Sequence, residues 1–269
     1  MTRTGKWFAA LLIGIVLISL FAPVISHYDP NAIDLDSLRE PPGSEHLLGT
    51  DNKGRDVLAR ILYGGRISLG ISATAAFISL LIGLILGLCS GYFGGKVDLL
   101  IMASVDLVLS FPALLLAIAI SILFPAGIYT VVIAIVAVGW ASFARIIRAQ
   151  VLTFSEASFI EAARSIGCSH LRILFRHLLP QCIPVLLVMA GMKMGSYILT
   201  ESALSFLGLG AQPPTATWGS MISANRVYIS SAPWMVLFPG CMIALTVLCC
   251  NMLGDAMRDK YGISVKERN

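Results

Sequence analysis

Six apolar runs decide what this chain can fold into: about Trp7–Ser26, Ser68–Tyr92, Leu99–Phe124, Ile128–Phe143, Ile183–Leu204 and Trp234–Leu253. A helix of about 20 apolar residues crosses the hydrocarbon core of a bilayer. The fourth run is the shortest, yet residues 127–144 still supply about 18 uncharged positions, the lower end of what spans. Hydrocarbon offers backbone groups no water, so each run must satisfy its own hydrogen bonds, as a helix does. The expected fold is therefore an all-α polytopic membrane protein with six transmembrane helices. Composition agrees: 13% of the 269 residues are charged, against about 25% in soluble domains.

Lysine and arginine placement sets the orientation. With the N-terminus inside, twelve of the 19 fall in inside segments, six in outside segments, and Lys193 lies within a span. Both termini are expected in the cytosol. Arg3 and Lys6 ahead of the first run resemble a secretory signal. The run is long enough to span and no small-x-small cleavage site follows, so it reads as a retained signal-anchor. The net charge of +4 is spread along the chain and gives no support for nucleic-acid binding.

Three divisions follow. Residues 1–67 are an anchor helix and a long external connection, 68–259 a transmembrane domain with a cytosolic loop at about 145–182, and 260–269 a cytosolic tail. In the connection, Tyr28–Gly43 is acidic and proline-bearing and reads as extended loop. From Gly49 to Arg66 charges recur at helical spacing, with Asp56 and Arg60 placed to pair at i, i+4. The plain reading of that half is a solvated surface helix leading into the second span.

Polar residues inside the spans are the candidate pore or gate. Asp106 is costly in lipid and must face protein or water, and Pro112 should kink the third span and free a carbonyl. Lys193 and Glu201 share one face of the fifth span but are too far apart to pair. They read either as a polar lining or as a snorkelling lysine with an interfacial acid. Residues 204–219, with Gly208, Gly210 and Trp218, are too apolar for a free loop and too rich in glycine and proline for a helix. They are expected to fold back against the outer mouth of the bundle.

Glu161–Pro180 is a polar, arginine-bearing island between two spans. Phe159, Ala163 and Ile166 fall on one helical face, Ser155 is a candidate N-cap, and Gly167 can adopt the left-handed conformation that ends a helix. Leu171, Leu174, Phe175 and Leu178 give a second amphipathic turn, expected to close at Pro180. A helix–glycine–helix knob of this kind is a shape for docking.

Enzymatic readings find no footing. There is no HExxH, no GxSxG and no Walker A motif, so any ATP must be hydrolysed by another chain; Gly91–Asp98 is a tight turn and no phosphate loop. The six cysteines lack metal-type spacing, and adjacent Cys249 and Cys250 read as small hydrophobes. All four histidines lie outside the spans, which disfavours an intramembrane imidazole cage. No residue is assigned to catalysis or to a metal.

These features together resemble the membrane permease subunits of ABC importers, of the dipeptide/oligopeptide/nickel type with the long first external loop. The island matches the EAA loop: Glu161-Ala162-Ala163, Gly167, then His177 and Leu179-Pro180. Further matches are Gly49-Thr50-Asp51 with Gly54-Arg55-Asp56, Gly65-Arg66-Ile67-Ser68-Leu69, Gly94-Gly95 with Asp98, Asp106 with Phe111-Pro112, Leu204–Gly210 with Pro213-Pro214 and Trp218-Gly219, and Gly254-Asp255 with Arg258-Asp259. The resemblance implies a type I importer fold in a bacterial inner membrane, in contact with lipid and multi-pass. It implies a second permease subunit completing the pore, two cytosolic ATPase subunits carrying Mg-ATP, and a soluble binding protein outside. This chain would bind no cofactor. Glu161, Ala162, Ala163, Gly167, His177 and Pro180 would form the contact with the ATPase. Two departures stand out: Lys193 occupies a position where a small or apolar residue is expected, and Lys260-Tyr261 replaces the Asp-Pro that often follows Asp259. Short peptides are the expected substrate, with nickel or a metal chelate as the alternative. A proton-coupled secondary transporter using Asp106, Lys193 and Glu201 as a relay would have no reason to carry the island, and a membrane-embedded enzyme ranks last.

Overall fold

A computed structural model describes residues 3–260, in chain order α1 (Arg3–Leu20), α2 (Ala22–Ile25), α3 (Val57–Phe93), α4 (Gly95–Leu109), α5 (Ala113–Ile122), α6 (Ile128–Ser155), α7 (Ser158–Ser165), α8 (His170–Arg172), α9 (Leu179–Phe206), α10 (Trp218–Asn225) and α11 (Trp234–Lys260). A π-helical turn, Ile173–Leu178, joins α8 to α9, so that His170–Phe206 is one continuous helix. Among the described residues there is no strand, and Thr50–Asp56 is an isolated β-bridge.

Among the described residues, four helices are long and apolar enough to cross a bilayer: α3, α6, His170–Phe206 and α11. The expected third span is not one rod. It breaks at Ser110–Pro112 into α4 and α5, bent by 90°, and makes a fifth span only if the pair is counted together. Pro112 sits just ahead of α5, where its missing N–H costs nothing, and its carbonyl accepts from Leu116. The anchor is also broken: α1 ends at Leu20, Phe21 leaves the helix, and Pro23 opens the short α2.

The other expected runs were too short. The 37 residues of α3 measure about 55 Å, well beyond a hydrocarbon core of about 30 Å. It begins at Val57 rather than Ser68; α6 continues past Phe143 to Ser155, and α11 past Leu253 to Lys260. Charge marks where apolar sequence ends, but a helix continues into water wherever its backbone bonds and packing persist.

The bundle is built on the contact between α3 and α6. Gly83, Gly87 and Gly91 recur every fourth residue and so line one face of α3. A Cβ at Gly87 would lie 2.7 Å from the Ala144 carbonyl oxygen and from Ile147, and one at Gly91 would lie 2.7 Å from Val151. The two backbones therefore approach as closely as small residues allow. Lipid tails are as apolar as leucine, so such packing, rather than exclusion of water, holds spans together. Phe143, Ile147 and Val151 are fully buried along this contact, in one core with Ile160, Ala163, Ile173, Leu174 and Leu178 of the island. The island is thus part of the bundle's core, not a detached loop.

Both ends of α3 are fastened by charge. At its start, Asp56 caps the helix, accepting from the Ala59 amide at 2.6 Å while its other oxygen meets His46 Nδ1 at 2.9 Å. Arg60 does not pair with Asp56 as its spacing suggested. It reaches Asp51, 3.5 Å away, and donates to the Pro30 carbonyl at 2.7 Å, while Arg55 also binds Asp51. Asp51, Arg55, Asp56 and Arg60 are all buried, which corrects the reading of a solvated surface helix. Thr50 completes the lock: its hydroxyl donates to the Ser37 carbonyl and accepts from the Glu40 amide. At the far end, Arg148 of α6 makes two bonds to Asp98, at 2.5 and 2.6 Å, and Ser90 donates to the same carboxylate.

The glycine contact gives a paired prediction. Gly87→Ala places a methyl group against the α6 backbone and should destabilise the protein by about 1–3 kcal/mol. Gly70→Ala, on the same helix with nothing within 4 Å of its Cβ, should be neutral or gain about 0.5–1 kcal/mol from helix propensity. Thermal unfolding of the two variants in detergent, monitored by circular dichroism, should move in opposite directions.

Candidate functional site

The island begins where α6 ends. Ser155 is the last residue of α6, its hydroxyl bonded to the Leu152 carbonyl, so it does not cap the next helix. Ala157 does so without a side-chain bond, and α7 runs Ser158–Ser165 with Glu161 in its first turn, where a carboxylate complements the helix dipole. Starting from Ala157, the helix turns Ile160 and Ala163 into the core and leaves Phe159 and Ile166 outside. Of Phe159, Ala163 and Ile166, which share the spacing of one helical face, only Ala163 is buried. The helix stops as its glycine dictates: Gly167 has φ +79°, its amide donates to the Arg164 carbonyl, and the Cys168 amide donates to Ala163. That pair of bonds is the Schellman ending, available to glycine without strain.

The second half differs from expectation more sharply. Ser169 caps α8, but the helix does not close at Pro180. The Leu179 amide reaches back five residues to the Leu174 carbonyl, and the chain runs on into α9. Pro180 has no N–H and its ring crowds the carbonyl four residues back; a π turn immediately before it absorbs the misfit and keeps the helix whole. Half-buried His177 lies within that turn, and Pro180 is exposed. Leu174 and Leu178 face the core while Leu171 and Phe175 are exposed.

Exposed Glu161 and Ala162 share the outside of the island with four large apolar side chains, Phe159, Ile166, Leu171 and Phe175. The inner side is tied to the end of α3: the Tyr92 hydroxyl and His170 Nδ1 are hydrogen-bonded at 2.8 Å, and the Arg164 guanidinium lies over the Tyr92 ring at 5.5 Å.

The polar residues expected to share a pore lining are dispersed. Asp106 is exposed on α4 and forms an ion pair with Arg145 of α6. Exposed Pro112 marks the break before α5. Glu201 is fully buried, accepting from Ser205 at 2.8 Å and Ser202 at 3.3 Å. Lys193 is half-buried and donates to the Ser142 hydroxyl at 3.1 Å, across a cavity that Glu201 does not line. On insertion scales a mid-span lysine costs about 2.5–3.5 kcal/mol, and one hydroxyl partner offsets little of that.

Residues 207–217 fold back on the bundle. Gly208, at φ +82°, ends α9 with the same two-bond pattern as Gly167, through Gly208 to Ser205 and Leu209 to Leu204. Gly210 lies against Ser205, leaving no room for a Cβ. Trp218 is buried completely, donating from Nε1 to the Ile61 carbonyl at 3.0 Å, and Thr217 caps α10 in a capping box with Ser220. A sealed indole of this kind joins α10 to α3 and lines no passage. Among the described residues no group of three or more His, Cys, Asp or Glu side chains could hold a metal ion.

Residues 57–262 match the family described as binding-protein-dependent transport system inner membrane component, and residues 3–42 match the N-terminal transmembrane domain of oligopeptide transport permease C. The chain belongs to this permease family. Relatives include a putative peptide transport system permease of Brucella suis, 42% identical over 93% of this chain and 84% of the relative. The dipeptide permease DppC of Alkalihalophilus pseudofirmus is 41% identical over 95% and 84%. The glutathione permease GsiD of an Escherichia coli strain is 42% identical over 99% and 87%. In fold, the permease resembles a chain of the MetNI methionine ABC transporter in an inward-facing conformation, with TM-score 0.62 and 19% identity over 75% of this chain and 96% of that one. The permease is thus an all-helical, multi-pass inner-membrane transport protein with an ABC importer fold.

Several features of this permease escaped sequence reading. The Gly83, Gly87 and Gly91 spacing was visible and is the usual signature of close helix contact. The link from Tyr92 to His170, far apart in the chain, left no local trace. The glycine ending of α7 supplies a test. Gly167→Ala should cost about 1–2 kcal/mol, the penalty of a Cβ in the left-handed region, and Gly167→Asn should cost less. Hydrogen exchange at the Gly167 and Cys168 amides should quicken in that order.

Proposed function

We propose that this permease is one half of the translocation pathway of a binding-protein-dependent importer of short peptides, driven through the Glu161–Pro180 island by separate ATPase subunits. In this reading the chain crosses the membrane six times. The α4–α5 pair counts as one broken span and α1–α2 as the first, with both termini and the island in the cytosol. Residues 1–67 form the anchor and external connection, 68–259 the permease domain with its coupling loop at about 145–182, and 260–269 the tail. A second permease subunit completes the pore, two ATPase subunits bind Mg-ATP beneath it, and a soluble binding protein delivers substrate. This chain performs no catalysis and binds no cofactor.

The observation that carries the reading is the island's two-sidedness. Its inner face belongs to the bundle core, while Phe159, Ile166, Leu171 and Phe175 stand exposed around Glu161 and Ala162. Exposed apolar side chains clustered beside polar ones mark a docking surface. In this reading Gly167 supplies the bend, Ala163 the packing that fixes it, Glu161 a polar anchor at the rim, and His177 and Pro180 the turn that passes motion into α9. The peptide substrate is favoured over nickel by the relatives, which are named for peptide, dipeptide and glutathione transport.

Ile166 is 79% exposed, so Ile166→Asp leaves the fold intact while placing a charge on the proposed contact. Together with Glu161→Lys, it should release the ATPase subunits on purification or leave ATP hydrolysis running without peptide uptake. Tight association and full uptake in both variants, or uptake in cells lacking the ATPases, would sink the reading.

A further inference from the structure

Lys193 is a charge in the bundle answered by one hydroxyl. Lys193 enters a cavity of about 200 Å³ lined by Leu109, Ala113 and Ala117 of the broken pair, by Ser142 of α6, and by Ser196, Tyr197 and Thr200 of α9. Asp98 and Asp106 are matched with arginines and Glu201 with hydroxyls, yet among the described residues no carboxylate forms an ion pair with Lys193 and none lines its cavity. Much of the lining is apolar, with Ile135 and Val138 beside the residues above; its polar part is an ammonium, the Ser142 and Ser196 hydroxyls, and the first turn of α5 at Ala113, where helix amides have no partner within the helix. The Tyr197 hydroxyl is sealed against Gly139 beside the Ser79 hydroxyl and offers this cavity no donor, so its polar lining is that of Lys193, Ser142 and Ser196.

We propose that this cavity is a way-station for the carboxylate terminus of the transported peptide, with Lys193 as the charge that receives it and Ser142 and the α5 N-terminus as its hydrogen-bond donors. The proposal rests on the peptide-import reading and adds to it a residue that discriminates among substrates. The volume suits one end of a peptide, since sites that enclose a drug-sized ligand measure about 300–1,000 Å³. A helix broken at Ser110–Phe111–Pro112 brings its N-terminus to the site, which an unbroken span could not do.

The experiment uses the complete importer in liposomes, with binding protein supplied at saturation for each peptide. Maximal uptake is measured for dialanine, trialanine and glutathione and for their C-terminal amides. The wild type should favour the free acids, and Lys193→Met should reduce that preference about tenfold, the equivalent of one charge-assisted hydrogen bond, while Lys193→Arg retains it. Co-purification of all subunits checks assembly. If Lys193→Met fails to assemble, Ser142→Ala should lower the same ratio, and an unchanged ratio there overturns the site. An undiminished preference in Lys193→Met also overturns it, as it would if Lys193 served a carboxylate of the second permease subunit. Failure of the wild type to import any of these peptides would instead overturn the peptide reading beneath it.

Discussion

Everything in this fold depends on how closely two backbones can approach. Gly83, Gly87 and Gly91 let α6 lie directly on α3, so that the carbonyls of Trp140, Ala144 and Arg148 come against bare Cα positions. In a membrane the alternative to a protein contact is an equally apolar lipid contact, and only dense packing distinguishes them. Once that contact is set, both ends of α3 can be fixed by charge, Asp51 with Arg55 and Arg60 at one end and Asp98 with Arg148 at the other. The charged groups do not create the alignment. Buried ion pairs rarely gain much over their desolvation cost, but losing one partner is costly. They therefore penalise every other register of α3, which is a contribution to specificity.

The same accounting separates the polar residues of the spans into two kinds. Glu201 looks exceptional in sequence and ordinary in structure: its oxygens meet Ser202 and Ser205 and it is sealed from solvent. Asp106 is answered by Arg145. Lys193 has a single hydroxyl and an open cavity. A group stabilised within its own chain holds structure, whereas an under-satisfied charge is left for a group outside the chain, which on the proposed reading is the substrate. That distinction rests on partners, which sequence position alone does not reveal.

What was legible in the sequence follows from range. Span-length hydrophobic runs, the glycine ending at Gly167, and the absence of a nucleotide motif are local properties, and each is read from the chain without knowledge of its contacts. The pairing of Arg60 was misread because helical spacing offered Asp56 as a neighbour, while a loop from earlier in the chain delivered Pro30 and its own turn delivered Asp51. Spacing alone did not say which side of α7 faces inward. The helix begins at Ala157, and that phase turns Ile160 and Ala163 into the core and leaves Phe159 and Ile166 outside. Trp218 pegs α10 to α3 because its donor finds the Ile61 carbonyl, a long-range partner that sequence position does not reveal.

The π turn joins these observations into a mechanism of transmission. Had the helix ended at Pro180, a push on the island would have been absorbed at a flexible joint. The five-residue bond from Leu179 to Leu174 instead keeps His170–Phe206 continuous, and a continuous helix moves as a lever. From His170 to Lys193 is 23 residues, or about 35 Å along such a helix. On the proposed reading, Leu171 and Phe175 of the docking surface and the ammonium that meets the substrate lie on this one helix, with Pro184 between them, while Glu161 and Ile166 belong to α7. Because the island's inner side is itself tied to α3 and packed with α6, a push on it loads all three helices together and reaches Lys193 along α9. Rigid-body motion of one packed element past another is a recurring way of converting a distant contact into a change at a site. On the proposed reading, the hydroxyl contact between Lys193 and Ser142 is where a displacement of α9 against α6 registers.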